Sequence, residues 1–296
     1  RPDPDILLVI TSLACAAAGV GIDAFARARL RRDGWAAVAA IAFLASPMVH
    51  DANLFDFHVV TLIAALLVLW EWIHLVAGPG HKLMFSASGS ALAVAALVEF
   101  RDRPIAAGLL IVLGGIAALI FAQRGRRVWI VAGIGYSGMM LLSPLLLRID
   151  PDYGFLAIVL LFAVVWATDI VAYFVGRAIG GPLLCPSVSP KKTWSGAFGG
   201  AVGAMAAAVA IAHLFGANRQ IFAVLGLLLS VVAQLGDLLE SWIKRHFGAK
   251  DASHLIPGHG GVMDRLDGFW AAALVACLIG LARGGLNNAA MGLLIW

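Results

Sequence analysis

Charge is what this chain has least of. Asp, Glu, Lys and Arg make up 13% of its 296 residues, against 61% hydrophobic residues. Soluble globular domains carry about a quarter of their residues as charges, so that class is excluded. A mean hydropathy of +0.93 points the same way, to a polytopic membrane protein. Cysteine is as sparse. Cys15, Cys185 and Cys277 have neither paired nor ligand-like spacing, which excludes a disulfide framework and a thiolate metal site and leaves them as small packing residues. No low-complexity tract, clear repeat or soluble domain interrupts the apolar pattern.

What is present is a series of apolar runs near the length needed to cross a hydrocarbon core of roughly 30 Å. They lie at about 6–22, 35–49, 54–77, 83–99, 105–122, 128–147, 154–176, 196–215, 220–238 and 268–285. The fold class is therefore all-α, a membrane helix bundle of nine to ten spans, the second run being short and the tail to Trp296 an interfacial piece. The chain opens on Arg1 without an initiator Met, which leaves room for residues before it. The first run has a faint signal-peptide look around Leu13-Ala14-Cys15, but lacks a basic n-region beyond Arg1, so a membrane helix is the better reading. If the loop with Arg27, Arg29, Arg31 and Arg32 is cytoplasmic, alternation puts 15 of the 21 Lys and Arg on that side. The long polar loops 177–195 and 239–267 then share that cytoplasmic side. Residues 1–150 read as scaffold and 151–296 as the catalytic region. In the scaffold half, His50, Asp51, Asp56 and His58 read as an ordinary polar external loop, and Trp70-Glu71-Trp72 as an interfacial aromatic anchor with no chemistry.

Polarity concentrates from Gln234 to Asp267, where nine of 34 residues are charged, about twice the chain's average. Ser230, Gln234, Asp237, Ser241 and Lys244 follow at intervals of four, three, four and three and stack on one helical face. Ionisable residues inside a membrane are costly and usually face a bundle interior or a watery cavity, which makes Asp237 a site candidate. Pro257, Gly258, Gly260 and Gly261 then favour a loop around His259, and Asp264, Arg265 and Asp267 precede a new apolar run at Phe269. Carboxylates from a helix and from beyond a glycine turn can thus converge, and hard oxygen ligands of that kind suit Mg²⁺.

A second polar group begins where Asp169, Tyr173 and Arg177 share a helical face at i, i+4 and i+8. Asp169 reads either as a site carboxylate or as a partner for an Arg or a helix cap. The following SPKKTWSGAFGG places Ser189, Lys191, Lys192 and Thr193 before glycines at a helix start, a natural anion site, although the positive-inside rule also yields basic loops without function.

The string Ser241-x-Ile243-Lys244-Arg245-x₄-Lys250-Asp251-x-Ser253-x₂-Ile256-Pro257-x-His259-Gly260-Gly261-Val262-x-Asp264-Arg265-Leu266-Asp267 resembles the signature of phosphatidate cytidylyltransferases, also called CDP-diacylglycerol synthases. The Trp-x-x-Asp-x-x-Ala-Tyr pattern around Asp169 and the Ser-Pro-Lys-Lys-Thr-Trp string resemble the same family, with Ser195 where Glu is usual. The resemblance implies transfer of the cytidylyl group of CTP to phosphatidic acid, giving CDP-diacylglycerol and pyrophosphate. It further implies that Asp237 and Asp264 ligate Mg²⁺, with Asp267 and Asp251 behind them or beside a second cation such as K⁺. Lys244, Lys250 and Arg265 would hold phosphates, and Lys191 and Lys192 the triphosphate. Asp169, Ser189, Thr193, Ser241 and His259 would complete the substrate contacts. A homodimer in membrane lipid, in a bacterial-type inner membrane with the site facing the cytoplasm and no nucleic-acid partner, is the setting implied.

Two other classes remain open on the residues. A secondary transporter would also place Asp169 and Asp237 near a cavity, although it has no need of a 29-residue loop dense in mixed charge and glycine. A CDP-alcohol type phosphotransferase would carry a DGxxAR helix motif, whereas here Asp267-Gly268 is followed by Phe269-Trp270.

Overall fold

The computed structural model describes residues 54–77, 81–99, 103–255 and 260–296. The first two apolar runs, Cys15, His50, Asp51 and His259 lie outside the described residues. The helices are α1 (Leu54–Ala77), α2 (Lys82–Glu99), α3 (Pro104–Phe121), α4 (Arg127–Arg148), α5 (Gly154–Ile179), α6 (Trp194–Leu214), α7 (Arg219–His246), α8 (Met263–Gly284) and the short α9 (Ala289–Leu294). Eight of them are long and apolar enough to cross a membrane. They match the eight expected runs from 54–77 onward. The loop 177–195 holds a small antiparallel hairpin, β1 (Leu183–Cys185) paired with β2 (Ser189–Thr193).

Local chemistry sets the helix ends. Pro104 opens α3, where its missing N–H costs nothing. Asn218 caps α7 by accepting from Gln220 N at 3.0 Å and Ile221 N at 3.3 Å, and Thr193 caps α6 by accepting from Gly196 N at 3.1 Å. Between helices, lipid provides no hydrophobic drive, so small residues that let backbones approach carry the packing. The α5–α6 contact is the most extensive in the bundle. A Cβ at Gly200 would sit 2.7 Å from Thr168 O, so this face of α6 tolerates only hydrogen there. We expect Gly200→Leu to prevent accumulation of folded protein, read as loss of a monodisperse peak in detergent. From there α7 packs on α6 and α8, and α8 on α4.

Eight consecutive membrane-length helices alternate in direction, which puts the hairpin and the 247–262 loop at the same end. The opposite end is held by local bonds. His58 Nε2 lies 2.7 Å from Glu99 Oε2, and Asp150 accepts from Tyr153 N at 2.9 Å and Met291 N at 3.2 Å, tying α9 to the start of α5. The tail closes with the Arg283 guanidinium 3.5 Å over the Trp296 ring. Cys277 is buried as a packing residue, while Cys185 is half-buried on β1.

The reading of Trp70-Glu71-Trp72 as an interfacial anchor is corrected. Trp72 is 2% exposed, donates Nε1–H to Trp129 O at 2.8 Å and packs against Tyr136. Glu71 is fully buried. An aromatic residue at the end of an apolar run has the same composition whether it faces headgroups or core. Here the absence of a side chain at Gly133 on α4 leaves room for the Trp72 indole, and the core takes it.

Candidate active site

The polar face expected on α7 is present, and each of its members is engaged. Ser230 is buried and accepts from Thr168 Oγ1 of α5 at 2.8 Å. Gln234 Nε2 donates to Ala197 O of α6 at 3.3 Å. One turn on, Ser241 Oγ donates to Asp237 Oδ1 at 3.4 Å, and the other Asp237 oxygen takes the ammonium of Lys192 from β2. The hairpin loop and α7 are thus joined by a direct ion pair between two residues 45 apart in sequence.

Around that pair stand two more carboxylates. Asp169 on α5 and Asp267 on α8 are both within electrostatic reach of Asp237 and Lys192. Backbone proximity explains this for Asp267. A Cβ at Gly236 would lie 2.8 Å from Asp267 O, so the main chains of α7 and α8 come close at this level. Asp267 also takes the N–H of Gly268 at 2.7 Å.

Deeper in the same end lies a second group. Lys244 is 9% exposed and its ammonium binds Asp264 of α8 while lying 2.6 Å from Glu240 Oε2, one turn back on α7. Asp264 does more than pair with Lys244. Its carboxylate accepts from Gly261 N at 2.7 Å and Ala252 N at 3.0 Å, so it gathers both limbs of the 247–262 loop onto the start of α8. That explains why α8 begins at Met263, five residues before the apolar run at 268–285: side chains supply partners for N–H groups that a helix start leaves unmet. Gly260, at φ 84°, makes the turn that precedes it.

The loop residues are placed less centrally. Lys250 and Asp251 are exposed on the loop, Arg265 is exposed on the first turn of α8, and Lys191 is exposed on β2 next to half-buried Ser189. Thr193 serves as the α6 cap. Ser195, where the resembled family usually has Glu, donates to Gly180 O at 2.5 Å and lies 3.0 Å from Thr193 Oγ1. The hydroxyl therefore holds the two ends of the hairpin loop together, a role that needs a donor and which a carboxylate could not fill.

Two residues of this end are absent from the expected site. Glu240 is 1% exposed and shares Lys244 with Asp264. Glu71 accepts from Ser253 Oγ at 2.6 Å, Val262 N at 2.8 Å and Met263 N at 2.7 Å. For Glu71, within the run 54–77, the signal was the rule already applied to Asp237, that an ionisable residue inside an apolar run is a site candidate; Glu240 falls two residues beyond the run 220–238.

Among the described residues, the carboxylates of Asp169, Asp237, Glu240, Asp264 and Asp267 gather at this end with the ammonium groups of Lys192 and Lys244. A carboxylate-rich setting of reduced dielectric favours a bound cation. Among the described residues no three metal-binding side chains converge as a complete cage. Mg²⁺ does not need one, since it usually takes one or two carboxylates and completes its shell with water and substrate phosphates. Asp237 stands with Asp169 and Asp267, and Asp264 with Glu240 and Lys244, and oxygen donors of this kind suit that use.

Comparison with known proteins shows the family. The model of the cytidylyltransferase family matches residues 31–281. A phosphatidate cytidylyltransferase of Brucella suis biovar 1 (strain 1330) is 46% identical over 226 residues, covering 76% of this chain and 84% of the relative. One from Haemophilus influenzae is 44% identical over 129 residues, 42% of this chain and 45% of the relative. Another from Staphylococcus aureus (strain COL) is 44% identical over 110 residues, 36% of this chain and 42% of the relative. With most of its length matched by the family model and two thirds or more covered by a relative of this similarity, the chain belongs to the cytidylyltransferase family.

Proposed function

We propose that this membrane-embedded nucleotidyltransferase moves the cytidylyl group of CTP onto phosphatidate at the end of the bundle where α5, α7, α8 and the hairpin meet. A phosphatidate oxygen attacks the α-phosphorus of CTP, the bond from that phosphorus to the bridging oxygen of the β-phosphate breaks, and pyrophosphate leaves. CDP-diacylglycerol remains in the membrane. The lipid phosphate is already an oxyanion near neutral pH, so no strong general base is required. The observation that carries this reading is the direct pairing of Lys192, from a basic loop, with Asp237, from the polar face of a membrane helix.

Asp237 and Asp264 hold Mg²⁺ in this reading. When bound, the ion neutralises phosphate charge so that one anion can approach another, and it polarises the α-phosphate. Lys191 and Lys192 bind the triphosphate, with Lys192 exchanging its contact to Asp237 for the nucleotide. Lys250 and Arg265, exposed beside the loop, take phosphate oxygens as well. The distribution of basic residues supports a cytoplasmic orientation for this end, and the family resemblance supports a bacterial inner membrane and a homodimer as the setting. The helices let phosphatidate keep its chains in bilayer while its headgroup enters the polar cluster.

The test is direct. Purified protein in mixed micelles with CTP and phosphatidate is expected to release pyrophosphate and form CDP-diacylglycerol in equal amounts. Neither should appear when diacylglycerol replaces phosphatidate. Pyrophosphate release that is indifferent to phosphatidate overturns the assignment. Lys191→Ala should raise the apparent KM for CTP roughly tenfold, the size of one lost charge-assisted hydrogen bond, with little change for phosphatidate. Equal loss toward both substrates would point instead to a collapsed hairpin.

A further inference from the structure

Glu71 belongs to α1, far in sequence from every residue assigned to the site, yet its carboxylate is the anchor on which α8 starts. It is fully buried, and among the described residues no basic side chain forms an ion pair with it. Its partners are instead the Ser253 hydroxyl and the backbone N–H groups of Val262 and Met263, at 2.6, 2.8 and 2.7 Å. Two of the three are at a helix N-terminus, where the unmet N–H groups and the helix dipole both favour an anion. A buried carboxylate is costly unless it is hydrogen-bonded. The loop therefore cannot lift from α1 without stranding Glu71, and the contact works as a latch. Its fit is close: a Cβ at Gly261 would lie 2.6 Å from Glu71 Oε1, so only glycine lets the carboxylate reach this backbone. The next residue but two is Asp264, and three beyond that is Asp267.

We propose that Glu71 is a positioning residue for cytidylyl transfer, fixing the depth and rotation of the first turn of α8 and with it the carboxylates of Asp264 and Asp267. This rests on the reading that Asp264 belongs to the reacting end. Glu71 touches neither substrate nor reacting atoms, and its effect passes through the backbone of residues 261–263. A carboxylate is needed because it only accepts, whereas a Gln amide would turn an NH₂ toward an N–H or the hydroxyl.

The experiment uses the full chain in detergent or nanodiscs. Glu71→Gln is expected to lower kcat roughly ten- to a hundredfold, the scale of a misplacement of about 1 Å, and to raise the Mg²⁺ concentration needed for half-maximal rate. The KM for phosphatidate should hold, and so should the thermal midpoint. Hydrogen exchange at Val262 and Met263 should speed up at least tenfold, while the middles of α5 and α6 keep their protection. Ser253→Ala, which removes one bond of three, should move all of these in the same direction by severalfold, and serves if Glu71→Gln fails to accumulate. Normal kcat and Mg²⁺ requirement in well-folded Glu71→Gln overturns the proposal. So does a loss of activity in step with a lowered thermal midpoint and faster exchange throughout the bundle, which is a structural role alone. Asp264→Asn separates the two layers. If it is inactive while Glu71→Gln is normal, only the positioning role falls; if it is active, the site reading falls with it.

Discussion

Asp264→Asn is expected to leave a folded, membrane-inserted protein whose cytidylyl transfer has dropped by roughly a hundredfold or more. The amide keeps the shape and removes the charge proposed to hold Mg²⁺. Metal stabilisation of phosphoryl charge is worth several kcal/mol, and each 1.36 kcal/mol is about tenfold in rate. The structure sharpens what the measurement must separate, because Asp264 also takes Gly261 N, Ala252 N and the Lys244 ammonium. If stapling the loop were its whole contribution, the residual activity would keep the wild-type Mg²⁺ dependence, and the thermal midpoint would fall. A metal ligand shifts the dependence to higher Mg²⁺. Near-normal turnover in well-folded Asp264→Asn at ordinary Mg²⁺ removes it from the site.

Asp237→Asn should lose a similar factor, for a related reason seen from the other helix. Its carboxylate is where the hairpin's Lys192 and the α7 hydroxyl of Ser241 meet. Removing the charge takes away a metal ligand and also the partner that holds Lys192 in place before nucleotide arrives. If Asp237 and Asp264 serve one ion, the double variant should be scarcely slower than either single one, since residues that act as a unit are not additive. Losses that multiply, to about ten-thousandfold, would show two independent roles. The rates are to be taken from pyrophosphate release in proteins matched for detergent-extracted folded fraction.

The parts of this molecule that could be read from sequence are those set by local pattern. Eight apolar runs became eight helices because each is long and continuous enough to satisfy its own backbone, which is the one requirement a bilayer imposes without exception. The stripe from Ser230 to Lys244 was visible because helical spacing is a property of the chain alone. The partners along that stripe were not. Lys192 is 45 residues from Asp237, and which lysine of the pair Lys191 and Lys192 turns toward α7 depends on the register of a hairpin only eight strand residues long. The partners of Asp264 were equally out of reach, and the structure supplies Lys244 and two backbone amides.

α8 starts five residues before its apolar run because hydropathy marks where a helix enters apolar surroundings, while the partners of its first N–H groups decide where it begins. Those of Val262 and Met263 are taken by Glu71 at 191 and 192 residues' remove, and Asp264, in the helix's own first turn, takes Gly261 N. No local signal links Glu71 to Met263. A rule applied evenly would still have flagged it, since Glu71 lies inside the run 54–77 as Asp237 lies inside 220–238. The aromatic neighbours Trp70 and Trp72 made the first look like an interface, and the buried indole of Trp72 shows that composition there pointed to the core.

In the proposed mechanism, carboxylates of α7 and α8 jointly hold the cation that neutralises the phosphates of CTP. The measurement that bears on it most directly is the initial rate of CDP-diacylglycerol formation against free Mg²⁺, at saturating CTP and phosphatidate, for the wild type, Asp237→Asn and Asp264→Asn in nanodiscs. The account predicts no turnover in the wild type without a divalent cation. It also predicts a half-maximal Mg²⁺ concentration raised at least tenfold in both variants, with melting midpoints close to the wild type. Undiminished turnover in the presence of excess chelator, or variants with reduced rates but an unchanged Mg²⁺ midpoint, would contradict it.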